Sequence, residues 1–153
     1  MTDGTEKNVA AMLDQEHDEL NVMISDLRNW LADVAELGIP HFGELSTRLR
    51  PLHEKLCEHF DHEEKHGLLS EVGDTPELAT AACELLKQHE QLRTELRDLI
   101  NLLRDSETPF VSWQSACETF EGLCEVLAQH ELAEMKVRDS AKDSGKITKN
   151  SKT

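Results

Sequence analysis

The sequence predicts an all-α protein, an antiparallel up-down-up-down four-helix bundle. Three observations carry that prediction. Four long stretches repeat apolar residues at alternating intervals of three and four, as helices do when they bury one stripe. The breaks between them are short and rich in glycine, proline and small polar residues, and short breaks favour antiparallel neighbours. No stretch carries a strand signal, and no repeat longer than the heptad is present.

Residues 1–7 are polar and are expected to be a flexible N-terminus; residues 8–139 form the bundle. The first helix runs to about Leu37, with a seam of Leu13, His17, Leu20, Ile24, Leu27, Leu31 and Val34; Gly38 stops it and Ile39-Pro40 turns the chain. The second runs from about Phe42 to Ser70, with Leu45, Leu49, Leu52, Leu56, His59 and Glu63 on its seam. Pro51 should bend it, although the seam keeps phase across the proline. Gly73-Asp74-Thr75-Pro76 is a turn and a helix start, with Thr75 as cap and Pro76 in the first helical position.

The third helix carries Leu78, Ala82, Leu85, His89, Leu92, Leu96, Leu99 and Leu103. After a turn at 106–108, Thr108-Pro109 repeats the cap-then-proline start. The fourth seam is Trp113, Ala116, Phe120, Leu123, Leu127, His130, Glu134 and Val137. Gly122 lies within this helix at a cost of about 1 kcal/mol relative to alanine; close packing is the one benefit the pattern suggests. Residues 140–153 are polar and aperiodic, a Lys-rich tail expected to be disordered. That tail carries +3, which leaves −18 on residues 1–139.

Composition excludes several function classes. Thirty-one acidic against sixteen basic residues give a net charge of −15, the opposite of the basic footprint of a nucleic-acid reader. Such a charge suits a protein that collects cations. No apolar run is long enough to span a bilayer and the N-terminus lacks the apolar segment of a signal peptide, so a cytoplasmic location without membrane contact is expected. Cys57, Cys83, Cys117 and Cys124 show no metal-site or redox spacing and are expected to fill core positions.

Each of the four seams is interrupted by one histidine: His17, His59, His89 and His130. Two are followed one turn later by a seam glutamate, Glu63 after His59 and Glu134 after His130. Counting from the turns at about 1.5 Å per residue puts the four histidines within roughly one helical turn of a common level. A lone histidine on an apolar face is more often a hydrogen-bonded core residue than a ligand. Four at one level with two carboxylates are hard to satisfy without an ion, because an unpaired carboxylate in a bundle core costs several kcal/mol. Six ligands are too many for one tetrahedral zinc site, and all-oxygen calcium or magnesium sites do not call for imidazole. The set suits two divalent ions, each with two imidazoles and both carboxylates between them, with positions left for water, hydroxide, O2 or peroxide. Iron fits these donors, with manganese or zinc as substitutes.

These residues resemble the hemerythrin-like, or HHE cation-binding, domains over about residues 9–138. The resemblance rests on Leu13-Asp-Gln-Glu-His17, His59-Phe-Asp-His-Glu63-Glu64, Lys87-Gln-His89-Glu and His130-Glu-Leu-Ala-Glu134. It implies a non-haem di-iron centre with a bridging oxo or hydroxo group and an open site for O2. His17, His59, His89 and His130 would be terminal ligands, and Glu63 and Glu134 carboxylate bridges. Oxygen-carrying members have a second histidine where this chain has Arg93, and an aspartate where it has Met135. The set is similar to the four-His, two-Glu branch, which includes iron sensors and peroxide-reactive proteins.

The expected function is therefore binding or sensing of O2 or iron at a di-iron site. The alternative is a di-iron enzyme consuming peroxide or nitric oxide, although no seam residue supplies a dedicated general acid. Ferritin-type storage ranks lower, since only Glu63-x-x-His66 has the Glu-x-x-His pattern, and a metal-free interaction bundle predicts no stoichiometric metal. Glu58, Glu64 and Glu131 flank the ligands and are candidates to orient imidazoles. Arg93 would pair with a carboxylate at the site if it pointed inward. His62 and His66 neighbour the motif, with His66 expected to be a solvated helix-end residue; His41 and His53 fall off the seams and are expected to be exposed.

Overall fold

A computed structural model of the chain describes residues 2–37, 41–66, 75–105 and 112–150, with side chains described at 9–37, 41–66, 75–105 and 112–140. Four helices account for them: α1 Thr2–Leu37, α2 Phe42–Lys65, α3 Pro76–Arg104 and α4 Trp113–Asn150. The predicted turns at 38–40, 73–74 and 106–108 lie outside the described residues, as do 67–70 of the predicted second helix. That helix closes at Lys65, with the His66 amide donating to the His62 carbonyl at 3.0 Å.

Helix starts follow hydroxyl chemistry. The Thr75 hydroxyl accepts from the Leu78 amide at 3.2 Å, and Pro76 takes the first helical position, where a missing N–H costs nothing. The fourth helix starts at Trp113, later than predicted. Its capping hydroxyl is Ser112, which accepts from the Ser115 amide at 3.1 Å, while Thr108-Pro109 lies outside the described residues. The chain continues helically through Pro51, and Leu49 and Leu52 on either side of it are both buried.

At the chain ends the helices run further than the sequence reading. The bounds of α1 and α4 take in residues 2–7 and 140–150. Apolar periodicity reports only the part of a helix that packs. Once a helix is nucleated by packing, adding a residue requires no further nucleus, so polar ends continue it.

Each pair of neighbouring helices meets in opposite senses. Between α1 and α2, Trp30 lies under Arg48, Glu19 pairs with Lys55 and Glu16 meets His59. Between α2 and α3, the buried Ser46 hydroxyl donates to the Ile100 carbonyl at 2.8 Å while Asp61 pairs with Arg93. Gln88 of α3 meets His130 of α4, and Asp14 and Arg28 of α1 meet Arg138 and Glu121 of α4.

The apolar core has two parts. The larger contains Leu20, Ile24, Leu49, Leu56, Leu92, Leu96, Phe120 and Leu127; the smaller contains Ala82, Leu85 and Val137. His89 falls between Leu85 of the smaller part and Leu92 of the larger, and His130 between Leu127 of the larger and Val137 of the smaller. Cys124 is buried in the larger part, where burial pushes its thiol to about 12, and Cys57 and Cys117 are half-buried. Cys83 is exposed, contrary to the core expectation, because it lies one position off the seam residue Ala82.

Gly122 does not serve close packing. A methyl group there would meet no atom within 4 Å, and the position is solvent-exposed. Gly122→Ala is therefore expected to stabilise the protein by about 0.5–1 kcal/mol, through loss of backbone freedom in the unfolded chain. A urea titration should show a higher midpoint; a lower one would mean that the residue has a role outside the described contacts.

Candidate metal centre

The seam period puts the polar residues inside, and the antiparallel pairing brings them to one level. The ligand atoms of His17, His59, Glu63 and Glu134 lie within 4.8 Å of one another, and so do those of His89, His130 and Glu134. Glu134 belongs to both groups. Five of the six residues are at most 4 % exposed, and the His17 side chain is 14 % exposed.

The two carboxylates lie between the histidine pairs. Glu63 turns Oε1 toward His59 at 2.5 Å and His17 at 3.9 Å, and Oε2 toward His89 at 3.9 Å. Glu134 turns Oε2 toward His17 at 3.9 Å, and Oε1 toward His89 at 3.5 Å and His130 at 3.6 Å. Each carboxylate thus offers one oxygen to each pair.

Few of these atoms have hydrogen-bond partners. The Nε2 atoms of all four histidines, Oε1 of Glu63 and both oxygens of Glu134 are buried without one. A buried unsatisfied polar atom costs about 1–3 kcal/mol. Seven such atoms converging on one place form a set that divalent cations would satisfy.

The outer faces of two imidazoles are held. His59 Nδ1 donates to Glu16 Oε1 at 3.0 Å, and His130 Nδ1 donates to Gln88 Oε1 at 2.7 Å. Each bond directs the Nε2 lone pair inward, as a metal-ligating histidine requires. His89 is fixed by stacking instead: its ring lies 4.0 Å from that of Phe60 at an interplanar angle of 12°.

The hemerythrin HHE cation-binding domain profile matches residues 8–137. The chain belongs to that family. No curated protein and no solved structure gives a match. Cation binding is thus a property of the family, and the donor groups of this hemerythrin-like domain fit it.

Electrostatics favour ion binding over protonation at most of the site. Burial opposes ionisation of Glu63, but the neighbouring His17 and His59 imidazoles outweigh it and hold the carboxyl at about 2. Burial lowers His89 to about 3 and His130 to about 4, so both rings are neutral at physiological pH. His59 differs: burial lowers its pKa, yet Glu63 and Glu16 together raise it above the ordinary value.

A pH dependence of the metal-free domain follows. His89 and His130 have folded pKa values below the ordinary 6.5, so the unfolded chain binds more protons as pH falls below that value. Their contribution to stability decreases below about pH 6.5 and is fully lost near pH 3–4. His59 works in the opposite sense and offsets part of the effect. In excess chelator, the urea midpoint should fall between pH 7.5 and pH 5; an equal midpoint would contradict buried neutral rings.

Sequence reading missed Glu16, Gln88 and Phe60, whose roles depend on partners from other helices. Among the flanking acids, Glu58 is exposed and Glu64 is engaged by Arg93 at 2.6 Å. Arg93 does pair with carboxylates, but with Asp61, Glu64 and Glu90 rather than with the core pair. Glu131 is half-buried with Oε1 unpartnered, and burial raises its pKa against the pull of His17 and His59. His53 is half-buried rather than exposed, 3.2 Å from the Arg93 carbonyl. His41 is half-buried beside Glu44, and His66 is exposed.

None of the described helices is long and apolar enough to cross a membrane.

Proposed function

We propose that the domain holds two iron ions, with His17 and His59 at one, His89 and His130 at the other, and Glu63 and Glu134 shared. The observation that carries this reading is the division of each carboxylate, one oxygen toward each histidine pair. Imidazole with carboxylate suits iron, with manganese or zinc as substitutes. Bound there, an iron pair supplies one-electron redox chemistry and open positions for a small ligand such as O2 or peroxide.

The surroundings support a small apolar ligand. An apolar cavity of about 20 Å³ is lined by Leu56, Leu92 and Leu127 among others, each three residues from His59, His89 or His130. An apolar pocket of that size excludes water and has room for about one small molecule. The reading is a binding or sensing module for O2 or iron.

Glu131 gives the enzymatic alternative specific support. Its buried Oε1 has no hydrogen-bond partner, and burial raises its pKa against the pull of His17 and His59, which makes it the candidate for the general acid that the seams lack. Stopped-flow assays of the iron-loaded protein with peroxide and a reductant separate the readings. A binding module reacts once at most. A peroxide-consuming enzyme turns over repeatedly and loses more than tenfold in rate on Glu131→Gln.

A further inference from the structure

A second donor cluster lies outside the core set. Glu16 of α1 and Glu58 and His62 of α2 each place one ligand-type atom within 4.8 Å of the other two. Glu16 is only 5 % exposed. Its two oxygens face different ways: Oε1 accepts from His59 Nδ1 at 3.0 Å, and Oε2 meets His62 Nδ1 at 2.8 Å. The His62 side chain is 30 % exposed and Glu58 is exposed, so the cluster opens to solvent on one side and reaches a core histidine on the other. The Lys55 ammonium is engaged by Glu19 at 2.5 Å and is also attracted by the Glu58 and Glu16 carboxylates, a pull that a divalent cation would have to outcompete.

We propose that Glu16, Glu58 and His62 form an outer divalent-cation site through which ions reach the core. Two carboxylates and one imidazole suit Mn(II), Fe(II) or Zn(II), with water completing the coordination. The ion would replace the Glu16–His62 hydrogen bond, taking Glu16 Oε2 and His62 Nδ1 directly, while Oε1 keeps its hold on His59. The location suits entry. His17, on the helix that carries Glu16, is the most exposed of the six core residues, and its ring packs against His59 with centroids 4.4 Å apart. The entry role rests on the paired core site proposed above; the outer site itself does not.

The test uses the metal-free full chain titrated with Mn(II), with free Mn(II) read by electron paramagnetic resonance. The wild type should take up three equivalents, one weaker than the other two. His62→Ala and Glu58→Gln, both at accessible positions, should lose the weaker equivalent, keep the two tight ones and fill them at least fivefold more slowly. Glu134→Gln separates the two proposals: it should lose tight sites while the weaker equivalent persists. Fewer than two tight equivalents in the wild type would overturn the core reading and, with it, the entry role. An unchanged weaker equivalent in His62→Ala and Glu58→Gln, or an unchanged filling rate, would overturn the outer site as proposed.

Discussion

Removing the metal is expected to lower the melting temperature of the domain by roughly 15–30 °C. Two ions bound at a thousandfold excess over their dissociation constants contribute about 4 kcal/mol each. For a chain of this size each kcal/mol corresponds to about 2–4 °C. The structural reason is the set of inward-facing atoms from His17, His59, Glu63, His89, His130 and Glu134, seven of which are buried without a hydrogen-bond partner. Without an ion they form a buried polar layer with at least one ionised carboxylate. Calorimetry of the iron-loaded protein before and after chelation measures the difference. An unchanged melting temperature would mean that the layer satisfies itself, and the metal reading would lose its physical basis.

Glu134→Ala is expected to abolish binding of both ions, a larger effect than that of any single histidine. Glu134 is the one residue common to both donor groups, with Oε2 beside His17 and Oε1 beside His89 and His130. A histidine variant removes one donor from one group; this variant removes a donor from each. Glu63→Ala should lower metal content nearly as far. Glu64→Ala should leave it near the wild-type level, because Glu64 is turned outward to Arg93. Circular dichroism controls for folding, and a smaller buried side chain in place of an unpaired carboxylate should leave the bundle helical. Equal losses for Glu63→Ala and Glu64→Ala would contradict the inward assignment of Glu63.

Much of this was legible in the sequence, for a definite reason. A bundle core imposes a three-four apolar rhythm, and a polar residue that keeps the rhythm, as His89 does between Leu85 and Leu92, must face inward. The rhythm therefore identifies the helices and the polar interruptions together. It carries no information about partners on other helices. Glu16 lies beside the seam of α1 and is buried only because His59 and His62 of α2 approach it. Gln88 and Phe60 were missed on the same grounds. Nor does the rhythm report where an unpacked helix ends, so α1 and α4 run past the predicted bundle. Gly122 suggested close packing, yet the space beside it is open.

Metal content per chain, by elemental analysis of protein produced with iron available, tests the central claim most directly. Two irons per chain, falling toward zero in Glu134→Ala, is the predicted result. Folded, helical protein with no stoichiometric metal would contradict it and leave the four histidines and two glutamates as a polar core network.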